Sequence, residues 1–242
     1  LFDDVVHAMG EARCSYLGQV DATDHLAAYW APPAVIDVVH GAPDPVTREW
    51  AYGDGTGRGV TVAVLDSGVE GDHPLVGPVV RSVVVERDEE SPDGVRFVDV
   101  AAEDLYGHGT ACGGIVRSLA PACRLHSVRV LGAGNTGSAD LILGGLRHAI
   151  EQGYDVVNLS LSTTKRKFAE LLHELADSAY FRGTVLVASA HNMPVESYPW
   201  RFSSVISVGS HEGTDSWEWY ANPNPPVEFF ARGIDINVAW AG

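Results

Sequence analysis

The sequence predicts an α/β fold, a doubly wound and mostly parallel sheet with helices on both faces. Three observations carry this. Short, nearly all-apolar runs rich in β-branched residues recur along the chain, as strands buried on both faces require. Amphipathic patterns of period 3.6 lie between them. Polar residues stand at the ends of the runs, where such sheets place their functional groups.

The first run is Val60-Thr61-Val62-Ala63-Val64-Leu65, and similar runs occupy residues 126–131, 156–161, 185–188 and 205–208. The Ala/Gly-rich residues 110–119 read as a helix packed closely on the sheet. Ile142, Leu146, Ala149 and Ile150 fall at i, i+4, i+7 and i+8, with Ser138 placed to cap the helix start and Gly153 to end it. A further helix puts Phe168, Leu171, Leu172, Leu175, Ala176 and Ala179 on one face and stops at Gly183.

A chain of 242 residues with 45% hydrophobic content suffices for one large domain with a buried core. No apolar run approaches the roughly 18 residues of a membrane span, so no membrane partner is expected. The net charge of −16 argues against nucleic acid, because phosphate binding needs clustered Lys and Arg. Acidic residues are densest from Glu86 to Glu90 and continue through Asp93, Asp99, Glu103 and Asp104, a pattern compatible with a basic substrate or a hard cation and specific for neither. Cys14, Cys112 and Cys123 cannot all pair and lack metal-ligand spacing, which reads as free thiols in a reducing compartment. With Leu1-Phe2-Asp3-Asp4 lacking the basic start of a secretory signal, a cytoplasmic location is expected.

Asp66 ends the first run within Val64-Leu65-Asp66-Ser67-Gly68, and 42 residues later comes Gly107-His108-Gly109-Thr110. Ser160 and Ser162 close a central run, and Asn192 follows the run at 185–188. A single Asp or His after a strand is more often a cap or a satisfied core group; the joint pattern is what points to chemistry. In order, flanking residues and spacing, these segments resemble the subtilisin-like serine proteases, the subtilases. Residues 62–68 match the family's aspartate motif and residues 104–114 its histidine motif. Residues 130–137 resemble its substrate-pairing edge, residues 155–162 the opposite wall of the cleft, and residues 187–192 the stretch with the oxyanion-hole asparagine. Tyr198-Pro199 and residues 205–209 complete a resemblance that covers about residues 50–242.

The resemblance implies a peptide or protein substrate and a triad in which His108 is the general base and Asp66 orients it. A hydroxyl becomes a useful nucleophile only when an imidazole takes its proton, and the imidazole needs a carboxylate to fix its tautomer. Asn192 would donate to the oxyanion. Extended substrate would pair with Asn135, Thr136 and Gly137 on one side and Ser160, Leu161 and Ser162 on the other. Calcium is the cofactor the family implies, although residues 86–104 show no recognisable ligand spacing and no metal site is assigned.

The chain departs from the family pattern in three ways. Ser162 and Thr163 follow Leu161 where many members have glycine, and His191 replaces the glycine before the asparagine. Cys112 sits four residues after His108, as a free cysteine does in the proteinase K-like branch, where thiol-reactive metals would act; the plain alternative is a small core residue. Third, no serine motif occurs. Residues 229–240 resemble the strand leading toward the serine helix, so the expectation is a peptidase domain over residues 46–242, truncated before the serine, with residues 1–45 an extension of open role. The serine then lies on residues outside this chain, on a separate complementing chain, or was lost, leaving a pseudoprotease that binds peptides or partners. Without the serine helix an apolar groove should remain beside Asp66 and His108, to be filled by a complementing carboxyl-terminal segment or by oligomerisation.

Overall fold

The computed structural model describes Thr47, Gly53 and residues 55–193, 195–215, 218–223 and 226–242. The extension expected over residues 1–45, with Cys14, lies outside them. The unit that carries the described elements is Asp54–Gly242.

In chain order these are β1 (Thr61–Asp66), β2 (Arg81–Arg87), β3 (Val95–Asp99), α1 (His108–Leu119), β4 (Arg124–Arg129), α2 (Ala139–Glu151) and β5 (Val156–Leu159). A 3-10 turn, Arg166–Phe168, leads into α3 (Ala169–Phe181), followed by β6 (Val185–Ser189), β7 (Val205–His211), β8 (Trp219–Ala221) and β9 (Phe229–Arg232). One sheet runs β3-β2-β4-β1-β5-β6-β7-β9-β8. Its interior pairings are parallel, and only the edge pairs β2–β3 and β8–β9 are antiparallel. The chain leaves β1 for β2 and β4 on one side and β5 on the other, so the carboxyl end of β1 is the switch point where parallel sheets bind ligands.

The side-chain alternation of β1 divides the core. Ala63 and Leu65 face α2 and α3, packing with Val128, Leu146, Val157 and Leu172. Val62 and Val64 face α1, in a smaller cluster with Val69, Leu125 and Ala239. Leu186 and Ala188 of β6 also point to the α2 and α3 side, which turns Val185 and Val187 to the opposite face, with Ile206 in register beside Val187. On that face Val185 and Ile206 are 42% and 38% exposed, unlike the covered β1.

The predicted strands and helices are present, with three differences. The β2–β3 hairpin and β8 were not expected from the sequence. Leu171, assigned to the buried face of α3, is 46% exposed, whereas Leu172, Ala176 and Ala179 are buried. Ser138 holds the cap position of α2 with extended backbone, but its carbonyl rather than its hydroxyl receives the Leu141 and Ile142 amides.

Candidate active site

Asp66 is wholly buried at the carboxyl end of β1, and His108 is the first residue of α1. The imidazole Nδ1 lies 2.8 Å from Oδ1 and 2.9 Å from Oδ2 of Asp66. With a carboxylate as neighbour, Nδ1 must carry the proton, which leaves Nε2 as the basic nitrogen of the neutral ring. The hydrogen bond to Asp66 raises the His108 pKa, against the opposing effect of burial. The Ser67 amide donates to Asp66 Oδ1 at 2.8 Å, so the carboxylate is fixed from its own strand as well.

The start of α1 has no side-chain cap of its own, and its orphan amides are satisfied from outside the helix. Ser67 Oγ receives the Gly109 amide at 3.2 Å. Asp104 receives the Thr110 amide at 2.8 Å and the Thr110 hydroxyl at 2.6 Å, the Tyr106 and Gly107 amides at 2.9 Å each, and the Ser67 hydroxyl at 2.8 Å. Burial pushes the Asp104 pKa up, but these bonds outweigh it and hold the carboxyl below its ordinary value. Two glycines permit the close fit. A side chain at Gly109 would meet the Gly68 carbonyl, and one at Gly68, where φ is 117°, would meet the Glu103 carbonyl. Trp240, 49% exposed, lies against Gly107 and makes an edge contact with Tyr106 at 5.7 Å between ring centres.

The other predicted residues gather in one cleft. Asn135, Thr136, Gly137, Ser160, Leu161, Ser162 and Asn192 all line a cavity of about 390 Å³ at the carboxyl ends of β4, β5 and β6, together with His191. Among the described residues the backbone of Leu161 and Ser162 makes no bond to other backbone, whereas the next residue, Thr163, is bridged to Tyr198 in both directions. An open edge of this kind is what an added peptide strand pairs with. Cys112 on α1 joins cleft and pair: its thiol donates to Ser160 Oγ at 3.4 Å. Burial pushes that thiol up to about 12, so it is a neutral donor.

Asp66, His108 and Cys112 form the one set of three His, Cys, Asp or Glu residues among those described whose ligand atoms converge, within 4.8 Å. It suits calcium poorly, since it offers nitrogen and sulfur where calcium takes oxygen. Within the acidic stretch Glu86 pairs with Arg96, Asp93 with Arg147 and Asp99 with Arg81.

Asp104, within the histidine motif, carries no assigned role from sequence alone. Its position three residues before a glycine-capped helix was the available signal.

Residues 57–233 match the model of the subtilase family. Subtilisin Savinase of Lederbergia lenta is 30% identical over 200 residues, covering 77% of this chain and 68% of that protein. An alkaline protease of Shouchella clausii is also 30% identical over 200 residues, though these are only 48% of its length. Thermitase of Thermoactinomyces vulgaris is 29% identical over 206 residues, 79% of this chain and 69% of that one. The crystal structure of a cold adapted subtilisin-like serine proteinase superposes with a TM-score of 0.60 at 26% identity, over 76% of this chain and 67% of the other. The chain belongs to the subtilase family of serine peptidases.

Proposed function

We propose that this chain is part of a serine endopeptidase, with the nucleophilic serine supplied by a segment outside its 242 residues. The observation that carries the reading is the Asp66–His108 pair, bonded at the switch point and joined through Cys112 and Ser160 to the cleft that holds Asn192. In this mechanism Nε2 of His108 takes the proton of the serine hydroxyl as its oxygen attacks the peptide carbonyl. Asp66 stabilises the imidazolium, and Asn192 donates to the oxyanion, an interaction of about 3 to 4 kcal/mol in such sites. His108 then passes the proton to the leaving amine, and water, activated the same way, releases the acyl group. The uncovered face with Val185 and Ile206 supports a completing segment, since a helix with an apolar side would bury both.

The test is labelling by a small fluorophosphonate. The full-length protein, or this chain with its complement, should take up the label, and His108→Ala should abolish it. This chain by itself should neither label nor turn over a mixed peptide library. A full-length protein that binds peptide with His108 and Asp66 intact yet takes no label is a pseudoprotease.

A further inference from the structure

The cleft beside Asn192 contains a donor that the peptidase mechanism does not use. His191 lines it, and its Nδ1 accepts the amide of Met193 at 3.1 Å. A nitrogen that accepts carries no proton, so the neutral ring is protonated at Nε2. Among the described residues that Nε2 has no protein partner, which leaves it free to donate. Ser160, at the end of the adjacent β5, is in a similar position. Its Oγ accepts from Asn158 Nδ2 at 3.1 Å and from the Cys112 thiol at 3.4 Å. With both lone pairs occupied, the Ser160 hydroxyl proton remains to be donated.

The rest of the lining restricts what these donors can meet. Leu131, Ile142 and Leu161 give the cleft apolar walls, and no Asp, Glu, Lys or Arg lines it. A lysine or arginine side chain entering the cleft would leave water without a carboxylate to receive it. A carboxylate would find donors but no fixed cation, in a protein of net charge −16. A carboxamide oxygen can accept from a donor in this lining without bringing a charge.

We propose that His191 is a specificity-determining residue, and that the cleft takes a side chain ending in an oxygen acceptor, carboxamide ahead of carboxylate, on the residue whose carbonyl is attacked. This rests on the peptidase reading and names its substrate class.

The test uses the full-length protein and peptides identical except for Gln, Glu, Leu or Lys before the cleaved bond. The Gln peptide is expected to exceed Leu in kcat/KM by about tenfold, with Glu intermediate and Lys lowest. His191→Gly should reduce the Gln-to-Leu ratio by about the same factor, and His191→Gln, which keeps a donor, should restore part of it. The readout is a ratio within each preparation, so a smaller folded fraction does not alter it. A Lys or Leu preference in the native protein, or an unchanged ratio in His191→Gly, overturns the proposal while fluorophosphonate labelling leaves the peptidase reading standing. A native protein that takes no label and cuts none of the four peptides overturns both.

Discussion

The two halves of the site are built on opposite terms. Around Asp66 and His108 the polar groups are bonded: the carboxylate holds the imidazole and the Ser67 amide, and Asp104 gathers five donors under the first turn of α1. In the cleft, the His191 Nε2 and the backbone of Leu161 and Ser162 stand without a protein partner among the described residues. The difference fits the tasks proposed for them. A group that moves protons must be aimed before substrate arrives, whereas a group that recognises substrate must keep its bonding capacity unspent.

The comparison can be broken at its strongest point first. Asp66→Asn should lower kcat of the complete enzyme by about ten-thousand-fold with little change in KM, because the neutral amide can hold the ring in the wrong tautomer. A loss carried mainly by KM would place Asp66 in substrate binding, on the other side of the comparison.

Asp104→Ala should come next. It leaves the Gly107 and Thr110 amides without their acceptor in an enclosed turn, and the expected cost is about 3 kcal/mol in urea unfolding of this chain. Asp104→Asn should recover part of this. A cost below about 0.5 kcal/mol, the range of an ordinary surface change, would show that α1 is held by packing instead.

The smallest effect is a response to pH in which the two regions differ in sign. His126 and His148 are buried on the other side of the sheet, and both nitrogens of His126 and Nε2 of His148 lack partners among the described residues. Burial lowers both pKa values, helped by Arg124 and Arg81 at His126 and by Arg81 at His148, with Glu151 and Asp99 opposing at the latter. Their folded pKa values lie below the unfolded one, so their contribution to stability is present above about pH 6.5 and is lost as pH falls below it. His108 is shifted upward by Asp66, so its contribution is full below about pH 6.5 and is lost as pH rises through its folded value. The two buried histidines should therefore lower the unfolding free energy between pH 7 and 5, against the opposite contribution of His108, and His126→Phe should flatten the decline. The acid limb of kcat/KM should lie above the ordinary histidine value, since His108 acts only as the neutral base. A steeper decline in His126→Phe would refute the assignment.

Much of this was readable from the residues. β1 announced itself because burial on both faces leaves almost no polar residue before Asp66, the carboxylate that ends it, whereas the neighbouring β4 buries His126 and Ser127. The cleft residues are legible only through the family resemblance, and the fold brings Asn135, Thr136, Gly137, Ser160, Leu161, Ser162 and Asn192 into one cavity. The β2–β3 hairpin was hidden because Glu86, Arg87 and the acidic turn made a solvated segment of what pairing turns into an edge; Arg81–Asp99 and Arg96–Glu86 are ion pairs across that hairpin. Leu171 misled because helical periodicity marks a broad stripe, while the sheet covers only its centre at Leu172, Ala176 and Ala179. The Ser67 bond to Asp104 spans 37 residues, and no local pattern encodes that approach.

The indole of Trp240 rests on the glycine that aims His108, with about half its surface in water. Indole emission moves to shorter wavelength when water leaves the ring, so the protein carries an optical gauge of its Asp66–His108 end. The difference spectrum between the native chain and Trp240→Phe isolates this ring from the other tryptophans, and it reports the arrival of a peptide or a completing segment without any added dye.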